Sequence, residues 1–316
     1  MEIVRGLENL PGADTRCVVT DGAFDGVHLG HQALLQRVVD LSRRLGGPSC
    51  VVTYEPLPSE FFSGSATATR LTLLDEKLDA FRAGGLDLCA ILRFDKDLSH
   101  WDGTQFVRRV LHEGLGAAAV VAGAGHTLGA GARGTLATLQ RLGAEMGFAV
   151  ESVPDAVHEG ERVSSSIIRN ALRAGDVVKA AAMLGRPYSV CGSVSSGKGV
   201  GEKLGYPTAN LPVDQRKLLP ADGVYAGYAC AGTERYPAVA HVGGSPTFGE
   251  AERLVEVHVL DRHLELVGRE VCFQMVERIR APIRFASREQ LKAQIRTDVQ
   301  EAREILLHST ERCPAE

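Results

Sequence analysis

No CxxC pair occurs among the seven cysteines of this 316-residue chain, and no cysteine has a histidine at metal-ligand spacing. Scattered cysteines in odd number in a chain of this length argue against a disulfide framework. Cys17, Cys50, Cys89, Cys191, Cys230, Cys272 and Cys313 are therefore read as reduced thiols acting as small hydrophobes. Nor does one charge predominate: 35 Lys and Arg stand against 39 Asp and Glu, a net of −4. Such a chain has no general electrostatic reason to coat nucleic acid or an anionic membrane, which leaves small molecules as the expected partners. No apolar run reaches the length of a membrane span. The longest, Leu115–Gly125, is rich in Gly and Ala and reads as a buried strand with its turns. Met1–Gly12 lacks the apolar stretch of a signal peptide, so a cytoplasmic protein is expected. Internal repeats and low-complexity segments are missing as well.

What is present is ordinary in bulk and distinctive in pattern. Hydrophobic residues make up 44% and charged residues 23%, so a packed core is expected, and the length suits two domains. The first half alternates strand and helix signals. Strands are predicted at Arg16–Thr20, Ser49–Tyr54, Leu88–Phe94, Ala117–Ala122 and Phe148–Val153. Between them, Leu34, Leu35, Val38, Leu41 and Leu45 recur at helical spacing and stop at Gly46-Gly47, Thr72 caps a helix to Ala83, and helices follow over Thr104–Glu113 and Gly134–Met146. Repeated βα units with continuous apolar strands imply a parallel sheet covered on both faces. Two short helices follow, Ser166–Arg173 and one from the Asp176 cap to Gly185. From Tyr188 the texture changes to short strands (Tyr188–Val194, Gly223–Cys230, Pro237–Val242, Leu254–Leu260, Glu270–Ile279), read as a small antiparallel barrel. A last helix, Ser287–Leu307, carries Leu291, Ile295, Val299, Ala302 and Leu306 on one stripe and should pack on the barrel. The boundary falls near Arg186, giving domains 1–186 and 187–316.

Two constellations carry chemistry. Gly22–His31 ends the first strand and opens the first helix, where ligands bind in open α/β sheets. Gly22, Gly26 and Gly30 allow close backbone approach, and the helix start offers free N–H groups to a phosphate. His28 and His31, three apart, can aim two imidazole donors at charge growing on an α-phosphate. Downstream, Arg162–Arg169 places serines at a helix start with Arg169 behind them, alone no more than a capping cluster. HxGH with this later serine-rich turn resembles the nucleotidylyltransferase superfamily, which implies a Rossmann-like α/β parallel-sheet domain.

The second constellation is Gly192–Asn210. Its glycines, Gly199 and Gly201 among them, form a loop able to fold over phosphates. Leu-Gly-Tyr-Pro-Thr-Ala-Asn puts the hydroxyl of Thr208 and the carboxamide of Asn210 beside a rigid proline, oxygen ligands suited to Mg²⁺ held with nucleotide phosphates. Glu256 sits in an apolar strand between Val255 and Val257. By pattern alone it is an outward-facing side chain, and in a site it would be a general base.

With Thr53–Pro56, Gly185–Tyr188, Gly223–Gly227, Pro246–Phe248, Val255–Asp261 and Phe285–Arg303, these segments resemble the prokaryotic bifunctional riboflavin kinase/FAD synthetase family over essentially the whole chain. The resemblance implies that ATP phosphorylates riboflavin to FMN in the C-terminal β-barrel domain. There Thr208 and Asn210 are the Mg-ATP residues, the Gly199–Gly201 loop joins them, and Glu256 is the base. It implies that the N-terminal domain transfers AMP from ATP to FMN, releasing pyrophosphate. Gly22, Phe24, His28, His31, Ser165, Ser166 and Arg169 would be its ATP residues.

The chain departs from the family in places. The usual Gly-x-Asn/Asp-Phe-x-Phe-Gly run is Gly123–Gly129 here, with Gly125, His126 and Leu128 at the polar and aromatic positions. This run lacks the hydrogen bond and aromatic wall suited to a flavin ring, so the flavin-binding residues stay unassigned and weak FMN binding is expected. Pro56-Leu-Pro58 replaces Pro-His-Pro. In the barrel, Glu202, His241 and Pro282 stand where Arg, Asn and Glu are usual. Two alternatives stand beside the bifunctional reading: a riboflavin kinase with an altered adenylyltransferase module, and a non-catalytic flavin- or nucleotide-binding regulator.

Overall fold

Val18–Asp21 (β2) and Ser49–Glu55 (β3) are buried along almost their whole length. Strands without a polar face need cover on both sides, the situation of a parallel sheet between helices. The computed structural model describes residues 1–64, 69–132, 134–195, 205–244, 253–262 and 264–312 and contains that sheet. Its six strands run in the order β1 (Glu2–Arg5), β4 (Leu88–Arg93), β3, β2, β5 (Ala119–Gly123), β6 (Ala149–Val153), every pair parallel. The edge strand β1 carries no sequence signal strong enough to anticipate it. From β2 the chain first builds outward through β3 and β4, then returns to place β5 on the other side. The β2–β5 pair is thus the topological switch point, where ligands gather outside the carboxyl ends.

Helix α1 (Leu29–Leu45) ends where the glycine pair predicts, with Gly46 at φ 73° as its left-handed cap. Leu35, Val38 and Leu41 are buried as the spacing requires, whereas Leu45 is exposed. Helix α2 covers Pro58–Ser63. Helix α3 (Leu74–Ala83) starts later than expected: Leu73 is its N-cap, and the Glu76 carboxylate accepts the Leu73 N–H at 2.8 Å. Thr72 does not cap it but bonds elsewhere. The short helix α4 (Lys96–His100) precedes α5 (Gly103–Phe106), which continues as a π-helix over Val107–Gly114. Helix α6 is Leu136–Met146, and a two-residue hairpin pairs β7 (Val157–His158) with β8 (Glu161–Arg162). Apolar clusters cover both faces of the sheet, one around Val19, Val52 and Leu111, the other around Val18, Val51 and Phe81.

The chain divides into two compact units, Met1–Ser165 and Ser166–Glu316. The second holds α7 (Ser165–Ala174) beyond its first residue, and α8 (Val177–Leu184), capped by Asp176 and closed by Gly185 at φ 72°. It then forms a six-stranded antiparallel sheet. The order is β10 (Ala209–Leu211), β13 (Arg253–Val259), β12 (Glu234–Gly244), β11 (Gly223–Ala231), β14 (Glu270–Arg280), β9 (Tyr188–Ser193). A bridge between Ser195 and Asn210 brings its two edges together, which makes the sheet a barrel. Inward-facing Tyr225, Ala240, Val257 and Val255 are fully buried. The alternate residues Val224, Ala226, Tyr228 and Val239 pack outside, beneath Val299, Ala302 and Leu306 of α9 (Arg288–Arg312), the stripe the sequence marks.

One expectation fails. Cys191 and Cys272, opposite one another on β9 and β14, form a disulfide, although their separation of 81 residues hides the pairing from the sequence. Cys17, Cys50 and Cys89 are buried thiols and Cys230 is half-buried.

Candidate active sites

In the first unit β2 runs into a turn that is conformationally costly. Phe24 (φ 49°) and Val27 (φ 40°) both lie in the left-handed region, with Gly26 (φ 89°) between them. Non-glycine residues there are unfavourable, the more so for β-branched valine, so surrounding contacts must hold the turn. They do so from several sides. The buried Asp25 carboxylate accepts the N–H groups of Leu71 (2.9 Å) and Thr72 (3.1 Å). The Thr72 hydroxyl accepts the Gly26 N–H at 2.9 Å, which accounts for its absence from the α3 cap. Lys77, 1% exposed, donates from Nζ to the Ala23 carbonyl at 2.8 Å. Ser165 Oγ donates to the Asp25 carbonyl at 2.8 Å, so the serine turn is fastened to the HxGH turn.

His28 caps α1, its Nδ1 accepting the His31 N–H at 3.4 Å. That contact assigns the proton of the neutral ring to Nε2. The two imidazoles stack with centroids 3.6 Å apart, and Phe24 meets His31 edge-on at 5.0 Å. A Cβ at Gly30 would stand 3.3 Å from the His28 ring, a tight contact that glycine avoids. Burial, then the neighbouring His28 and Lys77, hold the His31 pKa well below the ordinary 6.5, so His31 is neutral at physiological pH. Its Nδ1 is buried without a partner among the described residues. The structure thus assembles Gly22, Phe24, His28, His31 and Ser165 at the carboxyl edge. Ser166 and Arg169 lie further along α7, in the second unit.

The Gly123–Gly129 run is not simply an emptied aromatic wall. Leu128 is 3% exposed and belongs to the core under the sheet, so its side chain is structural. Gly125 is not left-handed, and a Cβ there would stand 3.2 Å from Nη2 of Arg162, a tight contact with the tip of that side chain. Sequence reasoning missed Asp21, the buried last residue of β2, and Thr72 and Lys77, which act through contacts distant in sequence.

In the second unit Glu256 lies directly opposite Asn210 on β10 and His241 on β12. Directly paired residues share a face of a sheet. The three therefore form one row on the outside of the barrel, while Val255 and Val257, at 0% and 1% exposure, point inside. Glu256 is half-buried, and Thr208, two residues before Asn210, is exposed. The His258 Nδ1–H donates to the Pro207 carbonyl at 2.8 Å, and its ring meets Tyr206 edge-on at 5.5 Å, which fixes the Tyr-Pro-Thr approach to β10. Gly199 and Gly201 lie outside the described residues, as do Glu202 and Pro246–Phe248. Among the described residues no group of three or more His, Cys, Asp or Glu is placed to hold a metal ion. The Thr208 hydroxyl and Asn210 amide are uncharged oxygen donors of the kind Mg²⁺ accepts when phosphates supply the charge.

An α/β unit with an HxGH turn at its switch point, followed by a barrel with an outward Asn–Glu–His row, defines a two-part nucleotide-using transferase. The FAD synthetase family matches residues 10–167, and the riboflavin kinase family matches residues 184–306. A bifunctional riboflavin kinase/FMN adenylyltransferase from Pseudomonas fluorescens is 38% identical over 313 residues, 99% of this chain and 100% of that one. One from Escherichia coli K12 is 37% identical over 96% of this chain and 97% of its own length. A crystal structure described as a macrolide-efflux protein from Streptococcus pneumoniae is also similar, with TM-score 0.88 and 28% identity over 96% of this chain and 99% of that one. Among the described residues here, no helix is long and apolar enough to cross a membrane. The chain belongs to the bifunctional riboflavin kinase/FMN adenylyltransferase family.

Proposed function

We propose that residues 187–316 phosphorylate riboflavin to FMN with ATP and that residues 1–186 then adenylylate FMN to FAD, in the cytoplasm and with no nucleic-acid or membrane partner. In the kinase step the ribityl 5′-hydroxyl attacks the γ-phosphorus and ADP leaves, with Glu256 taking the hydroxyl proton. Thr208 and Asn210 would hold Mg²⁺, which neutralises phosphate charge when bound, and the Gly199–Gly201 loop would cover the phosphates. In the second step an FMN phosphate oxygen attacks the α-phosphorus of another ATP and pyrophosphate leaves. His28 and His31 donate to the α-phosphate oxygens, the N-terminus of α1 contributes its dipole, and Gly22, Phe24, Ser165, Ser166 and Arg169 complete the ATP site.

The observation that supports this reading is that the HxGH turn and the Asn210–Glu256–His241 row lie on two different units, each with its own core. The test is product analysis: purified protein with riboflavin, ATP and Mg²⁺, resolved by chromatography. FMN and FAD together are expected. FMN alone would support the kinase-only alternative, and neither product the non-catalytic one.

A further inference from the structure

Asp21 and His126 face each other across the switch point. β2 and β5 are adjacent, Val18 level with Ala119 and Val19 with Val120, so the turns leaving them open side by side at one sheet edge. Asp21 is the last residue of β2 and immediately precedes the HxGH turn. His126 comes from the turn after β5, its Nε2 3.2 Å from Asp21 Oδ1, with side-chain exposures of 15% and 5%. Neither atom has an aligned hydrogen-bond partner among the described residues, so the contact is an ion pair rather than a directed bond. Tyr54 Oη, on β3, donates to the other Asp21 oxygen at 3.3 Å. A buried carboxylate with an unaligned oxygen is expensive in a structural core. Here it brings a ring to the carboxyl edge where the acceptor must approach the α-phosphorus.

We propose that His126, held by Asp21, is a specificity-determining residue for the adenylyl acceptor, presenting a ring N–H donor to the flavin's carbonyl-bearing ring edge. This rests on the FMN adenylyltransferase reading of the same site. Burial pushes the ring toward neutrality, but the Asp21 carboxylate outweighs it and carries the His126 pKa above the ordinary 6.5. Tyr54 stays protonated, its own pKa raised well above 10 by burial and by Asp21. Arg162 also stands beside Gly125 on this turn and pairs with Asp155 at 3.1 Å. Where the family sequence carries an aromatic wall, this chain has an acid-braced imidazole, so flavin affinity here is electrostatic and pH-dependent.

The sign follows from the direction of the shift. The charged ring persists below its raised pKa and is lost as pH rises through it, so the KM for FMN should rise on the alkaline side while the KM for ATP does not. The experiment measures FAD formation from FMN and ATP against pH for the unmodified enzyme, His126→Gln, His126→Phe and Asp21→Asn. On the acid side of the His126 titration both His126 variants should raise the FMN KM about tenfold, as expected for one charge-assisted hydrogen bond, and they should flatten its pH dependence. Asp21→Asn should move that dependence to lower pH. Riboflavin phosphorylation by the same preparations reports intact protein. If the unmodified enzyme makes FAD while the variants keep its FMN KM and pH profile, the role of His126 is overturned and the adenylyltransferase reading stands. If the unmodified enzyme makes no FAD, that underlying reading is overturned and this inference falls with it.

Discussion

Glu256 and His31 depend on placement in opposite ways. Glu256 sits half-exposed on the outside of the barrel, between an amide and an imidazole on neighbouring strands. Glu256→Gln keeps the shape and removes the carboxylate proposed as base. Riboflavin phosphorylation should fall by about 10²–10⁴-fold while ATP binding is retained, read by steady-state rates and calorimetric titration; near-normal turnover would remove Glu256 from the role of base. His31 is held neutral by burial and by the charges of His28 and Lys77. A group with a lowered pKa gains its proton only at correspondingly low pH, so FAD formation should show no His31 inflection at the ordinary 6.5, and any His31 step should fall in more acid solution. Its ring-proton NMR titration checks this. His28→Ala or His31→Ala should lower FAD formation on the order of 10²–10³-fold, the effect of deleting one donor to a developing oxyanion.

At the scale of elements, the turn between β2 and α1 depends on partners outside itself. Thr72→Val removes the acceptor of the Gly26 N–H and should cost about 1–3 kcal/mol of local stability. FAD formation should drop while FMN formation is unchanged, and hydrogen exchange at Gly26 and Val27 should accelerate; equal loss of both activities would indicate global unfolding instead. Legibility in the sequence follows the range of the forces. The strands β2 to β6, α1 with its Gly46 stop, α8 with its Asp176 cap and the α9 stripe were readable, because periodicity and capping are local. The HxGH turn and the Thr208, Asn210 and Glu256 set were readable as motifs. Thr72, Lys77, Asp21 and the Cys191–Cys272 bond were not, because each is defined by a partner far along the chain. The three-residue β10 and the polar edge strand β1 have too little pattern to be seen. That Leu128 turns into the core was not readable, because sequence spacing does not say which way a loop side chain turns.

At the scale of the whole molecule, the two units predict separable activities and also where to cut. Residues 187–316 contain the barrel and α9. Residues 166–316 add α7 and α8, which belong to the same compact unit. Val177, Ala180, Met183 and Leu184 of α8 are at most 2% exposed, and the Ala221 N–H donates to the Leu172 carbonyl at 2.9 Å. Both fragments should phosphorylate riboflavin. The longer should be more stable by several kcal/mol, since each large side chain returned to water costs about 1.5–3 kcal/mol. Urea midpoints measure the difference, and equal midpoints would show that α7 and α8 contribute nothing to the barrel.

The alternation along β13 has a further consequence, for how this protein can change. Odd-numbered Val255 and Val257 face the core and even-numbered Glu256 faces outward, so parity separates core from surface at these three positions. Substitutions at Val255 and Val257 can be repaired by repacking neighbours, and those at Glu256 leave the barrel core undisturbed. Insertion or deletion of one residue within Arg253–Val259 would exchange the two sets at once, burying the carboxylate and exposing the valines. Length variation among such enzymes should therefore collect in the connections between strands and be missing from β13 itself.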